Sequence, residues 1–182
     1  MPPPIPVVLA DYDPAWPAIA AGLAARLEVL GSVLATLHHI GSTSVPGLVA
    51  KPIIDLMPVV TDVDALDQLR SRVESLGFEW HGELGIAGRR YCTLDDIGHR
   101  RAQLHFFAAG APNVERHLAF RDYLRAHPEA ARDYAREKRR ARDLHPNDSH
   151  AYGDEKAAWI EEAEKRALLW VSEGRPSHRL AS

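Results

Sequence analysis

Residues 39–60, HIGSTSVPGLVAKPIIDLMPVV, constrain the fold more than any other stretch of the chain. An apolar approach through Leu37 and Ile40 stops at Gly41-Ser42, and the hydroxyl residues Ser42, Thr43 and Ser44 follow. After Pro46-Gly47 and Lys51-Pro52, a second apolar run over 53–60 carries one carboxylate, Asp55. A glycine ahead of small hydroxyl residues lets backbone approach a ligand closely and offers N–H and O–H donors together. An aspartate in a strand that reads as buried on both faces is costly to ionise unless a cation or donor answers it. Adjacent strands lie about 4.8 Å apart, so the return into the sheet can bring Asp55 beside the Gly-Ser turn. A short helix over 45–50 is expected to aim its N-terminus at an anion, a contribution of roughly 0.3–2 kcal/mol. The stretch is no P-loop, because no Gly-Lys-Ser/Thr follows at the required spacing. Taken alone, a Gly-Ser pair is more often plain turn punctuation, and Asp55 fits a cap or an ion pair with Lys51 as readily as a ligand site.

At 182 residues, 46% hydrophobic and 26% charged, the chain has the length and composition of one globular domain with a real core. A net charge of −3 argues against wholesale nucleic-acid binding, and no run is apolar for long enough to span a bilayer. Cys92 is the one cysteine and has no partner for an intrachain disulfide, so a reducing compartment is expected. The proline-broken start lacks the basic region of a signal peptide, which adds to the expectation of a cytoplasmic protein.

In chain order, 7–9 reads as a short edge strand, and Asp13-Pro14 as the start of a helix ending at Gly31. A strand is expected over 34–40 and another over 53–60. A single helix is expected over 63–76, closed by Gly77, then strands over 78–80, 89–94 and 103–108. From residue 113 onward the pattern is helical, with breaks at His127-Pro128 and Pro146. The expected architecture is α/β (α+β): a mixed sheet packed by helices over about 1–111, a C-terminal helical lobe over about 112–172, and a flexible tail at 173–182.

Further candidates surround the central stretch. Arg89 and Arg90 follow a glycine-rich loop, and strand alternation sends them to opposite faces, one to clamp an anion bidentately and the other into solvent. Lys51 stands between the turn and Asp55, as counter-charge or phosphate contact. Six basic residues against two acids in 132–142 read mainly as a solvated helix face, although Tyr134 and Lys138 share one side of it. His38, His39, His145 and His150 have no zinc-site spacing.

The string HIGSTSVPGLVAKPIIDL resembles the GrpB family, a branch of the nucleotidyltransferase superfamily also found fused to dephospho-CoA kinase. The resemblance continues through GELGIAGRRY, QLHFF and LAFRDYLRAHPEAARDYAREK to Tyr152 and Lys156. It implies a nucleotidyltransferase-like fold in which Gly41, Ser42 and Thr43 hold phosphates, with Lys51, Arg89 or Arg90, and Lys138 as further contacts. It also implies that Asp55 holds Mg²⁺, with His105 as a second ligand or proton shuttle, and that the partner is a nucleotide or related phosphate compound. Two departures bear on activity. Met57 stands where the superfamily has a second metal-binding carboxylate, and Gln103-Leu104-His105 stands where similar sequences have His-Leu-His. The expected function is nucleotide or phosphate-compound binding, with nucleotidyl transfer to an acceptor as its active form; the alternative is a non-catalytic module that assists a partner enzyme.

Overall fold

The computed structural model describes residues 3–174. Helix α1 (Trp16–Arg26) runs into a 3-10 segment, Leu27–Val33, which Gly31 interrupts with a positive φ of 58°. Strand β1 (Leu34–Ile40) leads to a single 3-10 turn, Ser42–Ser44, and the chain returns as β2 (Ile54–Val60). Two short helices follow, α2 (Val63–Gln68) and α3 (Arg70–Ser75), then β3 (Glu79–Trp80), β4 (Arg90–Asp96) and β5 (His99–Ala108). Three longer helices complete the described chain: α4 (Pro112–Ala126), α5 (Pro128–Leu144) and α6 (Ser149–Ser172).

The five strands form one mixed sheet in the order β1-β2-β5-β4-β3, with β2 parallel to β5 and the remaining pairs antiparallel. Side-chain alternation then decides what each face carries. From β2 and β5, Ile54, Leu56, Val60, Ala102, Leu104 and Phe106 point into the main core with Trp16, Leu27, Leu30, Leu66 and Val73. The odd-numbered residues of both strands face the C-terminal helices instead. There Ile40, Met57 and Phe107 pack as a second apolar cluster against Val114 and Leu118 of α4. A sheet covered on both faces explains why 53–60 is nearly continuous in hydrophobicity.

Several local expectations are corrected. Residues 7–9 form no strand; the segment is tied by an isolated bridge between Ala10 and Ala50. The helix expected to reach Gly31 changes to 3-10 geometry after Arg26. The helix expected over 63–76 is two, divided at Leu69, whose φ of −100° and ψ of 8° leave the helical region. The β4–β5 turn is a two-residue loop, Ile97-Gly98, with φ of 47° and 76°, the paired positive values that suit the twist of a hairpin. The expected tail lies outside the described residues beyond Gly174. No helix among the described residues is long and apolar enough to cross a membrane.

Candidate functional site

The Gly-Ser turn is set by steric closeness to Asp55. Gly41 adopts φ 68° and ψ −171°, a region essentially reserved for glycine. A Cβ there would fall 2.4 Å from Asp55 Oδ2, so glycine alone allows the carboxylate to lie against the turn. β1 and β2 bring this about by pairing Ile40 with Asp55. The turn is fastened from three sides. Ser44 donates through N and Oγ to Gly41 O (3.2 and 2.6 Å). The His39 Nε2 and Thr43 Oγ1 pair lies at 2.9 Å, and Arg125 donates to Ser44 O through Nε and Nη2 (2.9 and 2.6 Å).

The helix expected over 45–50 does not form. Leu48 N–H donates to Val45 O (3.2 Å) and Gly47 has φ 78°, so Pro46-Gly47 makes a tight turn of the kind that needs a positive φ at its second central residue. This segment therefore aims no helix N-terminus at the site. Positive charge comes instead from three lysine side chains, two of them in the helical lobe.

Lys51, Lys138 and Lys156 line a cavity of about 210 Å³ together with Gly41, Ser42, Thr43 and Asp55. Lys138 Nζ is buried and donates to Val49 O at 2.8 Å. Lys156 Nζ stands 4.0 Å from the ring centre of Tyr152 and 5.8 Å from that of Tyr134. Tyr134 stacks on Trp159, with ring centres 4.7 Å apart, and lines the same cavity as Ser42. The lobe thus reaches the turn directly. Burial and the crowding of ammonium groups hold Lys138 well below the ordinary lysine range. Burial lowers Lys51, and burial with the Lys51 charge brings Lys156 down to about 8.

The lowered Lys156 sets a pH dependence for the unliganded protein. Its ammonium is disfavoured in the folded state, and the unfolded chain holds that proton up to the ordinary value of 10.5. Stability therefore rises with pH between about 8 and 10.5, by up to about 3 kcal/mol at 1.36 kcal/mol per unit. Lys156→Met is expected to be more stable than the parent at neutral pH and to lose this rise. Urea unfolding of both proteins at several pH values checks it; parallel pH profiles would contradict it.

His105 lies on β5 two residues beyond Gln103, the register partner of Asp55 on β2. His105 Nε2 is 3.5 Å from Asp55 Oδ1, and its Nδ1 is buried without a hydrogen-bond partner among the described residues. The ring also borders an outer cavity of about 550 Å³ containing Arg89, Tyr91 and Arg100; Lys51 and Gln103 line both cavities. Behind it His117 is pushed down to about 3 by burial and the neighbouring His105, Arg116 and Arg89.

The two arginines separate as alternation requires, but neither is simply solvated. Arg89 is buried beside the outer cavity and donates to Glu83 O (3.1 Å) and Leu84 O (2.7 Å). Arg90, on the opposite face, makes a two-pronged pair with Asp67, both contacts at 2.6 Å, so the expectation that the outward arginine is free in solvent is corrected. Met57 is fully buried in the apolar cluster under α4.

The donor set does not fit a resident Mg²⁺. Among the described residues no group of three or more His, Cys, Asp or Glu side chains converges on a point. Asp55 and His105 offer one carboxylate and one imidazole to an ion that prefers oxygen, and three lysines share the Asp55 cavity. The sequence reading missed Tyr91, Arg100, Gln103 and His117 as candidate site residues and named Lys156 only among the positions that carry the resemblance. One signal was present: Tyr134/Lys138 and Tyr152/Lys156 repeat the same Tyr-x-x-x-Lys spacing on consecutive helices, which puts each lysine beside its tyrosine.

Comparison with known proteins decides the family. The GrpB protein family model matches residues 6–166. The chain belongs to the GrpB family. The UPF0157 protein YqkA of Bacillus subtilis is 43% identical over 143 residues, covering 78% of this chain and 41% of YqkA. The dephospho-CoA kinase of Mycolicibacterium paratuberculosis is 31% identical over 91% of this chain, which spans 47% of that protein. Among solved structures, the conserved protein GrpB from Enterococcus faecalis superposes with a TM-score of 0.85 at 36% identity, covering 91% of this chain and 99% of that one. Cid1 poly(U) polymerase, in a structure with Mg 3'-dATP bound, gives a TM-score of 0.53 at 16% identity over 75% of this chain and 45% of its own, a likeness of fold. The GrpB chain thus has the expected nucleotidyltransferase-like fold.

Proposed function

We propose that this GrpB chain binds a phosphate-bearing small molecule, nucleotides among the candidates, with its phosphates in the cavity between the Gly41-Ser42 turn and the helical lobe. The observation that carries the reading is a charge imbalance: among the described residues three lysine amines line the cavity and Asp55 is its one carboxylate. Buried charge is expensive without a partner, so the cavity favours an anionic ligand. Ser42 and the backbone at Gly41 supply directional donors, and the lysines supply charge. At about 210 Å³ the cavity is below the roughly 300–1,000 Å³ of sites that enclose a whole drug-sized ligand. The remainder of a nucleotide would extend past Lys51 and Gln103 into the outer cavity. A divalent ion belongs to this reading only as a companion of the ligand's phosphate oxygens.

Calorimetric titration with pyrophosphate and a nucleotide panel, from pH 6.5 to 9.5, tests the reading. Binding requires charged lysines, so affinity is expected to fall above about pH 8 as the free protein's Lys156 loses its proton. Ser42→Ala is expected to weaken binding by about 1–3 kcal/mol, the value of a donor to a charged group. Failure of every phosphate compound to bind would overturn the proposal.

Met57 favours a second reading, a ligand-binding module without transferase activity, because its apolar packing occupies the position of the second carboxylate. Turnover of radiolabelled nucleotide separates the two: release of labelled pyrophosphate would support transfer, and binding without turnover would support the module.

A further inference from the structure

We propose that Lys156 is a carbonyl-reactive lysine: its amine forms an imine with a small phosphorylated aldehyde whose phosphate occupies the cavity beside the Gly41-Ser42 turn. The inference rests on the phosphate-binding reading and names a ligand class for the same site.

The three lysines are not equivalent. Lys138 commits its amine to Val49 O at 2.8 Å. Lys51 is only half-buried, Asp55 offsets part of the lowering that burial causes, and its Nζ lies farther from the Tyr152 ring centre, at 5.5 Å. Lys156 has no hydrogen-bond or carboxylate partner among the described residues, and its Nζ meets the ring faces of Tyr152 and Tyr134 while lining the cavity. It is 8% exposed, so small molecules reach it through the cavity rather than from bulk solvent. A buried lysine beside other cations retains more of its free base, the nucleophilic form. Burial is the main influence in that direction, and among the nearby charges Lys51 disfavours the Lys156 ammonium more strongly than either Asp55 or Glu137 favours it. The electron-rich face of Tyr152 moderates this effect without occupying the nitrogen lone pair.

The step needs no oxidant or cofactor. The Lys156 Nζ lone pair adds to the aldehyde carbon, and the carbonyl π pair moves to oxygen, giving a carbinolamine. Asp55 relays the proton leaving nitrogen to the alkoxide oxygen, completing the carbinolamine. The Lys51 ammonium then protonates that hydroxyl, which departs as water, and the iminium proton returns to Lys51. Loss of one water leaves the C=N bond, so amine and aldehyde become imine and water with no net redox change. The cavity volume suits an aldehyde of two or three carbons with one phosphate, and phosphate capture holds the carbonyl near the amine.

The experiment treats the full chain at pH 8 with glycolaldehyde phosphate and cyanoborohydride, and locates reduced adducts by peptide mass spectrometry. Lys156 is expected to label about tenfold or more faster than with glycolaldehyde, because phosphate binding raises the local carbonyl concentration. Pyrophosphate should block the reaction. Lys156→Arg should abolish the adduct, and pyrophosphate binding is measured by calorimetry on the parent chain. Labelling of Lys156 no faster than of the exposed Lys165, or equal rates for the two aldehydes, would overturn the proposal. Pyrophosphate binding without an adduct would overturn this inference and leave the phosphate reading standing; absence of pyrophosphate binding would overturn both.

Discussion

Met57→Asp is expected to destabilise the protein by about 3–5 kcal/mol, the scale of an uncompensated buried charge. The substitution restores the Asp-x-Asp spacing of a two-carboxylate metal site, and by sequence alone it would look like a repair. The packing says otherwise. Met57 is 0% exposed and contacts the cluster of Ile40 and Phe107, with Val114 and Leu118 of α4 against it. A carboxylate placed there has no cation or donor in that cluster, so the fold would open or the group would take up a proton. Met57→Leu, which conserves volume and polarity, should cost less than about 1.5 kcal/mol. Denaturant unfolding of both variants checks the pair. A Met57→Asp protein as stable as the parent, and gaining Mg²⁺ affinity, would show that α4 yields to a metal centre.

Gly41→Ala is the second large effect, expected to cost about 1–3 kcal/mol from backbone strain alone. The added methyl would also lie 2.4 Å from Asp55 Oδ2. Relief requires either Asp55 to rotate away or the Ser42–Ser44 turn to shift, and Arg125 holds that turn by two hydrogen bonds to Ser44 O. Pyrophosphate affinity should therefore fall by at least about tenfold, or 1.4 kcal/mol, even where the variant remains folded at low temperature. Thermal unfolding and calorimetry read the two consequences separately. Gly47→Ala is the control: its φ is also positive, at 78°, but a Cβ there meets nothing within 4 Å. It should lose some stability and retain pyrophosphate binding. Equal losses of affinity in the two variants would remove the Gly41–Asp55 approach from the site.

Much of the sheet was legible in the chain because its signals are local. The pattern of 34–40 and 53–60 placed β1 and β2 to within a residue, and the Gly-Ser turn between apolar runs predicted the closeness of Asp55. The failures came where two local signals competed. Pro46-Gly47 can open a helix or close a tight turn, and the pairing of Ala50 with Ala10 is a long-range contact that no periodicity reveals. Leu69 fits an apolar helical stripe, yet the helix divides there.

By itself the sequence determined a mixed sheet packed by helices, the return that brings Asp55 near the Gly-Ser turn, and the opposite orientation of Arg89 and Arg90, since strand alternation and turn chemistry act over a few residues. Only the tertiary structure decided what the lobe contributes. Lys51 comes from the segment between β1 and β2, Lys138 from α5 and Lys156 from α6, and they meet Asp55 because those helices fold back over the odd-numbered face of the sheet. In one dimension Lys138 belongs to a solvated charge run; in three it is 3% exposed. Met57 likewise reads in sequence as a missing ligand, and in the fold as a core residue. Both reversals have the same physical cause: burial and electrostatic surroundings belong to contacts between segments distant in the chain, and those contacts turn a charge run into an anion cavity.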